Sequence, residues 1–192
     1  MMIYIIRHGQ TEMNIRKVLQ GRSNYPLNEA GIAQAQKAAD ELRHITFTKV
    51  YTSPLKRAIQ TAAIIAPYAH AVVDERLIEM DYGPYEGADL GHLPPEMLMF
   101  FSDFAHNPAP DGMEQLSSVV NRAGAFLEEI KNLEGLEGNI LISTHAIAMK
   151  GILEYLTPGS GGAYWSKYIG NCAVYTAECS NGRFGIPKEW KV

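Results

Sequence analysis

The sequence predicts an α/β fold of three layers, α/β/α, with helices on both sides of a mainly parallel sheet that gains antiparallel strands at its edge. Three observations lead there. Short β-rich apolar runs alternate with stretches of helical spacing through most of the 192 residues, the order expected of β-α-β units. Two of those runs, "MIYII" and "NILIST", are nearly continuous in apolar residues, as strands covered on both faces are. The closing stretch, "CAVYTAECSNGRFGIP", reads as two strands around a Ser-Asn-Gly turn, an antiparallel addition.

"MIYII" is the first strand. Asn28 then caps a helix to about His44, with Ile32, Ala35, Ala39 and Leu42 as its apolar stripe. "KVYTS" is the second strand. In "SPLKRAIQTAAIIA", Ser53 stands at an N-cap position with Pro54 as the first helical residue. "HAVVDERL" gives a third strand. Residues 78–112 are rich in Gly and Pro around one short helix near Pro94 to Phe104, and they interrupt the alternation. From Met113 a helix is expected, because Leu116, Val119, Val120, Ala123, Phe126, Leu127, Ile130 and Leu133 fall along one face. "NILIST" is a buried strand, "HAIAMKGILEYL" a helix and "PGSGG" a loop. No repeat or linker divides the chain, so residues 1–192 are expected to form one domain with a specificity-determining insertion at about 78–112.

Composition limits the partners. A formal charge of −4 and a pI near 5.9 leave no general basic field, which argues against nucleic acid or an anionic membrane surface. No apolar stretch approaches the roughly 20 residues of a membrane span, and "MMIYIIRHG" lacks the cleavage pattern of a secretory signal. A cytoplasmic protein is expected. Cys172 and Cys179 are expected on one strand, seven residues apart, where an odd separation points them to opposite faces and away from a disulfide.

Three predicted strands run into ionisable groups: the first into Arg7 and His8, the second towards Arg57 within one helical turn, and "ILIST" into His145. In open α/β sheets ligands bind beyond the carboxyl ends of the strands, so these groups can converge. Two arginines and two histidines in one crevice suit a phosphate. A guanidinium binds two phosphate oxygens at once and stabilises the charge that develops on transfer. A neutral imidazole is a competent nucleophile towards phosphorus. No His-x-x-x-His or Cys-x-x-Cys pair and no carboxylate cluster at ligand spacing occurs, so no metal site or cofactor is expected.

"RHGQTEMN" resembles the Arg-His-Gly-x-Thr-x-x-Asn signature of the histidine phosphatase superfamily, also called phosphoglycerate mutase-like. "QGRSNYPLNEAG", "SPLKRAIQTA", "ERLIEMDYGPYEG" and "STHAIAMKGIL" resemble its later segments in the right order. The resemblance implies that His8 is the nucleophile, that Arg7, Arg57 and His145 form the phosphate pocket, and that Asn14 is a further phosphate donor. It also implies that Glu79 is the proton donor, although Asp81 and Glu86 lie close enough for any of the three to be the acid. Gln20 and Gly21 approach the substrate by backbone on this reading, or simply form a turn. Ala146 stands where the family usually has Gly, Asn24 where Asp is common, and "PDGMEQ" carries one additional residue. The implied activity is a metal-independent phosphomonoesterase acting through a phosphohistidine on a small organic phosphate. The rivals are a phosphoglycerate mutase and an inactive phosphate-binding module on the same scaffold.

The insertion bears on that choice. Between Leu77 and Asn121 there is no Lys or Arg, whereas mutases of the family are associated with basic residues there. The expected leaving group is therefore neutral or partly apolar. "MLMFF", residues 97–101, cannot all fit one narrow helical face, so some of these side chains are expected to wall the leaving group, or else to dock the insertion on the core or on a second copy in a homodimer.

Overall fold

The computed structural model describes residues 1–132 and 138–190; Leu133, the last residue of the expected apolar helix face, lies outside the described residues. Strand β1 (Met2–Arg7) leads into a short helix α1 (Glu12–Ile15) and then α2 (Glu29–Leu42). Strand β2 (Phe47–Thr52), α3 (Lys56–Ile65) and β3 (Ala71–Val73) follow, and the insertion carries α4 (Pro95–Ser102). The chain continues through α5 (Leu116–Lys131), β4 (Asn139–Thr144) and α6 (Ala146–Leu156), and ends in β5 (Val174–Ser180), β6 (Arg183–Phe184) and β7 (Lys188–Glu189). Among the described residues no helix is long and apolar enough to cross a membrane.

The strands form one sheet in the order β3-β2-β4-β1-β5-β6, with β7 also beside β5. The first four are parallel, and β5 runs antiparallel to β1. Alternation along the buried strands feeds two cores. Ile3, Ile5, Ile140 and Ile142 pack with Phe126, Leu127 and Ile130 of α5 and with Met149, Ile152 and Leu153 of α6. On the opposite face Tyr4, Ile6, Val50 and Leu141 pack with Ala38 and Leu42 of α2 and with Ala62 and Ile65 of α3. A third cluster, built on Met80, Met97, Phe100 and Met113, docks the insertion against Val119 and Ile147.

Three local expectations are corrected. The buried stripe of α2 is Gly31, Ala35, Ala38 and Leu42, while Ile32 is 47% exposed. The helix is turned so that Gly31 lies against the backbone after β1: a Cβ there would come within 2.0 Å of the Gln10 carbonyl oxygen. Second, Ser53 is not the N-cap of α3, which starts at Lys56. The first helical amide, of Lys56, is taken by the Asn24 side chain at 2.7 Å, while the Ser53 hydroxyl accepts from the Leu55 amide at 3.3 Å and meets His145 at 2.7 Å. Third, Cys172 precedes β5 in a turn at φ 57°, so the two cysteines do not share a strand; both thiols are free.

Candidate active site

Register brings the candidate residues to one edge. Arg7 pairs with Thr144, and Ser143 with Thr52, so β1, β2 and β4 end level. The next residues, His8, Ser53 and His145, all emerge at that rim. The ladder extends one step beyond the strands, through His8 N–H to the Thr144 carbonyl at 2.9 Å and Ser53 N–H to the Ser143 carbonyl at 3.0 Å. Glycine at position 9 lets this turn lie on α2, since a Cβ there would meet the Gly31 carbonyl oxygen at 2.4 Å.

His8, Arg57, His145 and Glu79 are all buried. The Arg57 Nε–H is shared between His8 Nε2 and His145 Nδ1, each at 3.2 Å, and the two rings are 5.1 Å apart. His8 Nδ1 lies 2.7 Å from the Gly9 carbonyl. A carbonyl can only accept, so Nδ1 carries the proton and Nε2 keeps its lone pair. That is the tautomer a nucleophilic imidazole needs, with its lone pair aimed at the guanidinium. His145 Nε2 meets the Ser53 hydroxyl at 2.7 Å. Because His145 Nδ1 accepts from Arg57, the neutral ring carries its proton on Nε2 and donates it to the Ser53 hydroxyl.

Electrostatics keep both imidazoles neutral. Burial, then the charges of Arg57 and Arg7, hold His8 well below its usual 6.5, against the opposing Gly9 hydrogen bond. Burial and Arg57 do the same to His145. Arg57 is itself lowered by burial, to about 10, and is supported by the fields of Glu79 and Glu86. It stays charged at neutral pH.

Arg57 lies in the first turn of α3, where a cation faces the positive end of the helix. Its position is fixed by carbonyls: Nη1 donates to Ser23 O at 2.6 Å and Nη2 to Gly21 O at 2.7 Å. That loop is in turn gathered by the Glu86 carboxylate, which accepts from the amides of Gly21, Arg22 and Ser23 at 3.0 to 3.3 Å. Gly21 therefore positions Arg57 with its carbonyl, and its N–H is engaged by Glu86. Glu86 is a brace for the arginine, a role with no local signal because its partners lie more than sixty residues away.

The other acids separate as clearly. Asp81 pairs with Arg22 at 3.0 Å on the surface, and Arg22 also reaches Glu114 at 3.5 Å. Glu79 stays inside. Thr144 Oγ1 holds the loop before it by donating to the Leu77 carbonyl at 2.7 Å. The Glu79 oxygens accept from Met80 N and Ala148 N at 2.9 Å and from Ile147 N at 3.2 Å. The carboxylate thus sits at the N-terminus of α6, a favourable end for a negative charge. Three amides leave roughly one of its four lone-pair positions for a proton or water. Ala146, first residue of α6, follows His145 directly at the pocket wall.

Asn14 is the third residue of α1 in a capping box with Thr11: its Oδ1 accepts from Thr11 N at 3.0 Å. Asn171, absent from the sequence reading, donates to the His8 carbonyl at 3.0 Å. The Gln20 side chain accepts from Thr11 Oγ1 at 2.8 Å. Among the described residues its Nε2, like Arg7 Nε, is a buried donor with no protein acceptor. Such orphans are uncommon in folded proteins and mark a place where a ligand supplies the acceptor. His92 instead pairs with Asp89 on the surface.

Known proteins resemble this chain over most of its length. A phosphoserine phosphatase 1 of Hydrogenobacter thermophilus is 30% identical over 85% of this chain and 80% of its own length. A Proteus mirabilis protein named "Probable phosphoglycerate mutase GpmB" is 29% identical over 93% of this chain and 85% of its own. The solved structure of Bacillus stearothermophilus YhfR superposes with a TM-score of 0.87 at 27% identity, covering 96% and 94% of the two chains. The sequence model of the histidine phosphatase superfamily (branch 1) matches residues 3–190, and the chain belongs to that superfamily.

Proposed function

We propose that this protein is a phosphoric monoester hydrolase that works through a phosphohistidine on His8 and takes small organic phosphates. The observation that carries it is the single Arg57 Nε–H lying between His8 Nε2 and His145 Nδ1: a neutral nucleophile, a fixed cation and a second imidazole meet at one point. The phosphatase-named relative supports the same reading.

Phosphorus approaches His8 Nε2 with its oxygens against Arg57, Arg7, His145 and the Gln20 and Asn14 amides. The N–P bond forms as the P–O bond to the alcohol breaks, and Glu79 gives that oxygen a proton. Water then attacks the phosphohistidine, Glu79 takes its proton, and inorganic phosphate leaves. The protein's contribution is mostly positioning and charge stabilisation, as phosphoryl transfer requires. Fixed arginines supply the positive charge, so the reaction is metal-independent on this reading.

The mutase reading is the rival, because one relative carries that name. The test compares release of inorganic phosphate from a panel of monoesters with interconversion of 3-phosphoglycerate in the presence of its bisphosphate. Hydrolysis is expected to be the faster reaction by at least about tenfold. Faster interconversion would replace the hydrolase assignment with the mutase one.

Glu79→Gln is expected to slow hydrolysis of an alkyl phosphate by about 10²- to 10⁴-fold but that of a nitrophenyl phosphate far less, since a good leaving group needs no proton. Kinetics on both substrates give the answer. Equal losses would assign Glu79 a structural role at the start of α6.

A further inference from the structure

The absence of cations from the insertion predicted a leaving-group site with no positive charge beyond the arginines, yet one is delivered from another element. Lys150, on the second turn of α6 and five residues after His145, is only 8% exposed. Its Nζ donates to the Trp165 carbonyl at 2.7 Å and lies 5.1 Å from the centre of the Phe104 ring. Among the described residues no carboxylate lies within 4.0 Å of it. Burying an ammonium without a counter-ion is costly.

Lys150 and Arg7 line the same cavity of about 340 Å³, whose other walls include Leu19, Leu90, Phe101 and Ile169. Ala146 also lines it, so two of its wall residues, Arg7 and Ala146, are chain neighbours of His8 and His145. Phe101 is thus the member of "MLMFF" that walls this space. Met97 and Phe100 are fully buried in the docking cluster, while Leu98 and Met99 face solvent at 55% and 61% exposure. An apolar chamber with one ammonium beside the phosphate-binding arginine is complementary to a carbon frame that ends in an acid.

We infer that Lys150 is a specificity-determining residue whose ammonium binds a carboxylate on the leaving group, with the carbon frame against Leu19, Leu90, Phe101 and Ile169. This rests on the hydrolase reading above and names the substrate class: phosphate monoesters of hydroxy acids with a partly apolar frame. Lys150 is charged over part of the neutral range only, because burial lowers it to about 8, with Arg7 lowering and Glu79 raising it. The other ionisable groups are Tyr168, which lines the same cavity, and Asp103 and Lys167 on the walls of the adjoining cleft.

The experiment measures kcat/KM on two matched pairs: n-propyl against 2-carboxyethyl phosphate, and phenyl against 3-carboxyphenyl phosphate. The wild type is expected to prefer the carboxylate member of at least one pair by about 10- to 100-fold, the range for a charge-assisted hydrogen bond. In Lys150→Met and Lys150→Gln that ratio falls towards one. In the wild type alone the same ratio declines as pH rises through about 8, because the ammonium loses its proton. Equal losses on both members in the variants would show that Lys150 only ties α6 to Trp165, and a wild type without preference in either pair would also overturn the inference. Failure to hydrolyse any of the four would instead remove the hydrolase reading on which it rests.

Discussion

His8→Ala loses turnover by about 10⁴-fold or more, the scale on which removal of a covalent nucleophile acts, while the fold stays intact. Among the described residues the ring makes one hydrogen bond besides the Arg57 contact, to the Gly9 carbonyl, so little of the architecture depends on it. Steady-state rates with circular dichroism as a folding control measure both. The same residue sets the acid side of the pH profile. With His8 held well below 6.5 by burial and by Arg57 and Arg7, its lone pair persists through mildly acidic pH. After correction for the substrate phosphate, which titrates near about 6, the acid limb of kcat/KM lies below 6.5; a limb at or above that value would contradict the assigned environment. Stability carries the matching sign. Between the lowered native value and 6.5 the unfolded chain binds a proton that the native His8 does not, so stability falls as pH falls through this window.

Arg57→Met is expected to lower kcat/KM by about 10²- to 10³-fold, the loss typical of removing one preorganised donor from developing negative charge. Structural consequences come with it. The Gly21 and Ser23 carbonyls lose their 2.7 and 2.6 Å donors, at about 1–3 kcal/mol each if they stay buried, and thermal denaturation reads that cost. A purely structural arginine would stop there. Because Arg57 is the largest charge lowering His8, its removal also raises the His8 pKa, so the acid limb of the residual activity moves upward. An unshifted limb would mean that Arg57 does not act on the nucleophile.

The candidate groups at the sheet's carboxyl rim were legible in the sequence for a physical reason. A buried parallel strand ends where its apolar run ends, and whatever ionisable residue follows must stand at the carboxyl rim. Arg7, His8 and His145 are all of this kind, and their spacing along the chain did not matter once the register aligned Arg7 with Thr144. What stayed hidden were residues whose partners are set by the tertiary fold. Ser53 carries local capping signals, yet its hydroxyl accepts from the Leu55 amide, ahead of the first helical residue, and also meets a histidine 92 positions away. Glu86 looked like a rival acid, and only the folded loop shows its carboxylate filled by three amides. Ile32 belonged to a plausible helical stripe, but the close approach of Gly31 to Gln10 turns that face outward. Lys150 lies within a predicted helix next to a motif, yet nothing in its neighbours along the chain says that its side chain is buried beside Arg7.

The account depends most on His8 Nε2 being the atom that carries phosphorus. Brief reaction of the wild type with a monoester, quenched in alkali, followed by ³¹P NMR and peptide mass spectrometry, tests that directly. The predicted result is an acid-labile, alkali-stable phosphoramidate on His8, bonded through Nε2 because Nδ1 is held by the Gly9 carbonyl, and missing from His8→Ala. Turnover in which phosphate is released with no such adduct, or with the phosphoryl group on another residue, would contradict it.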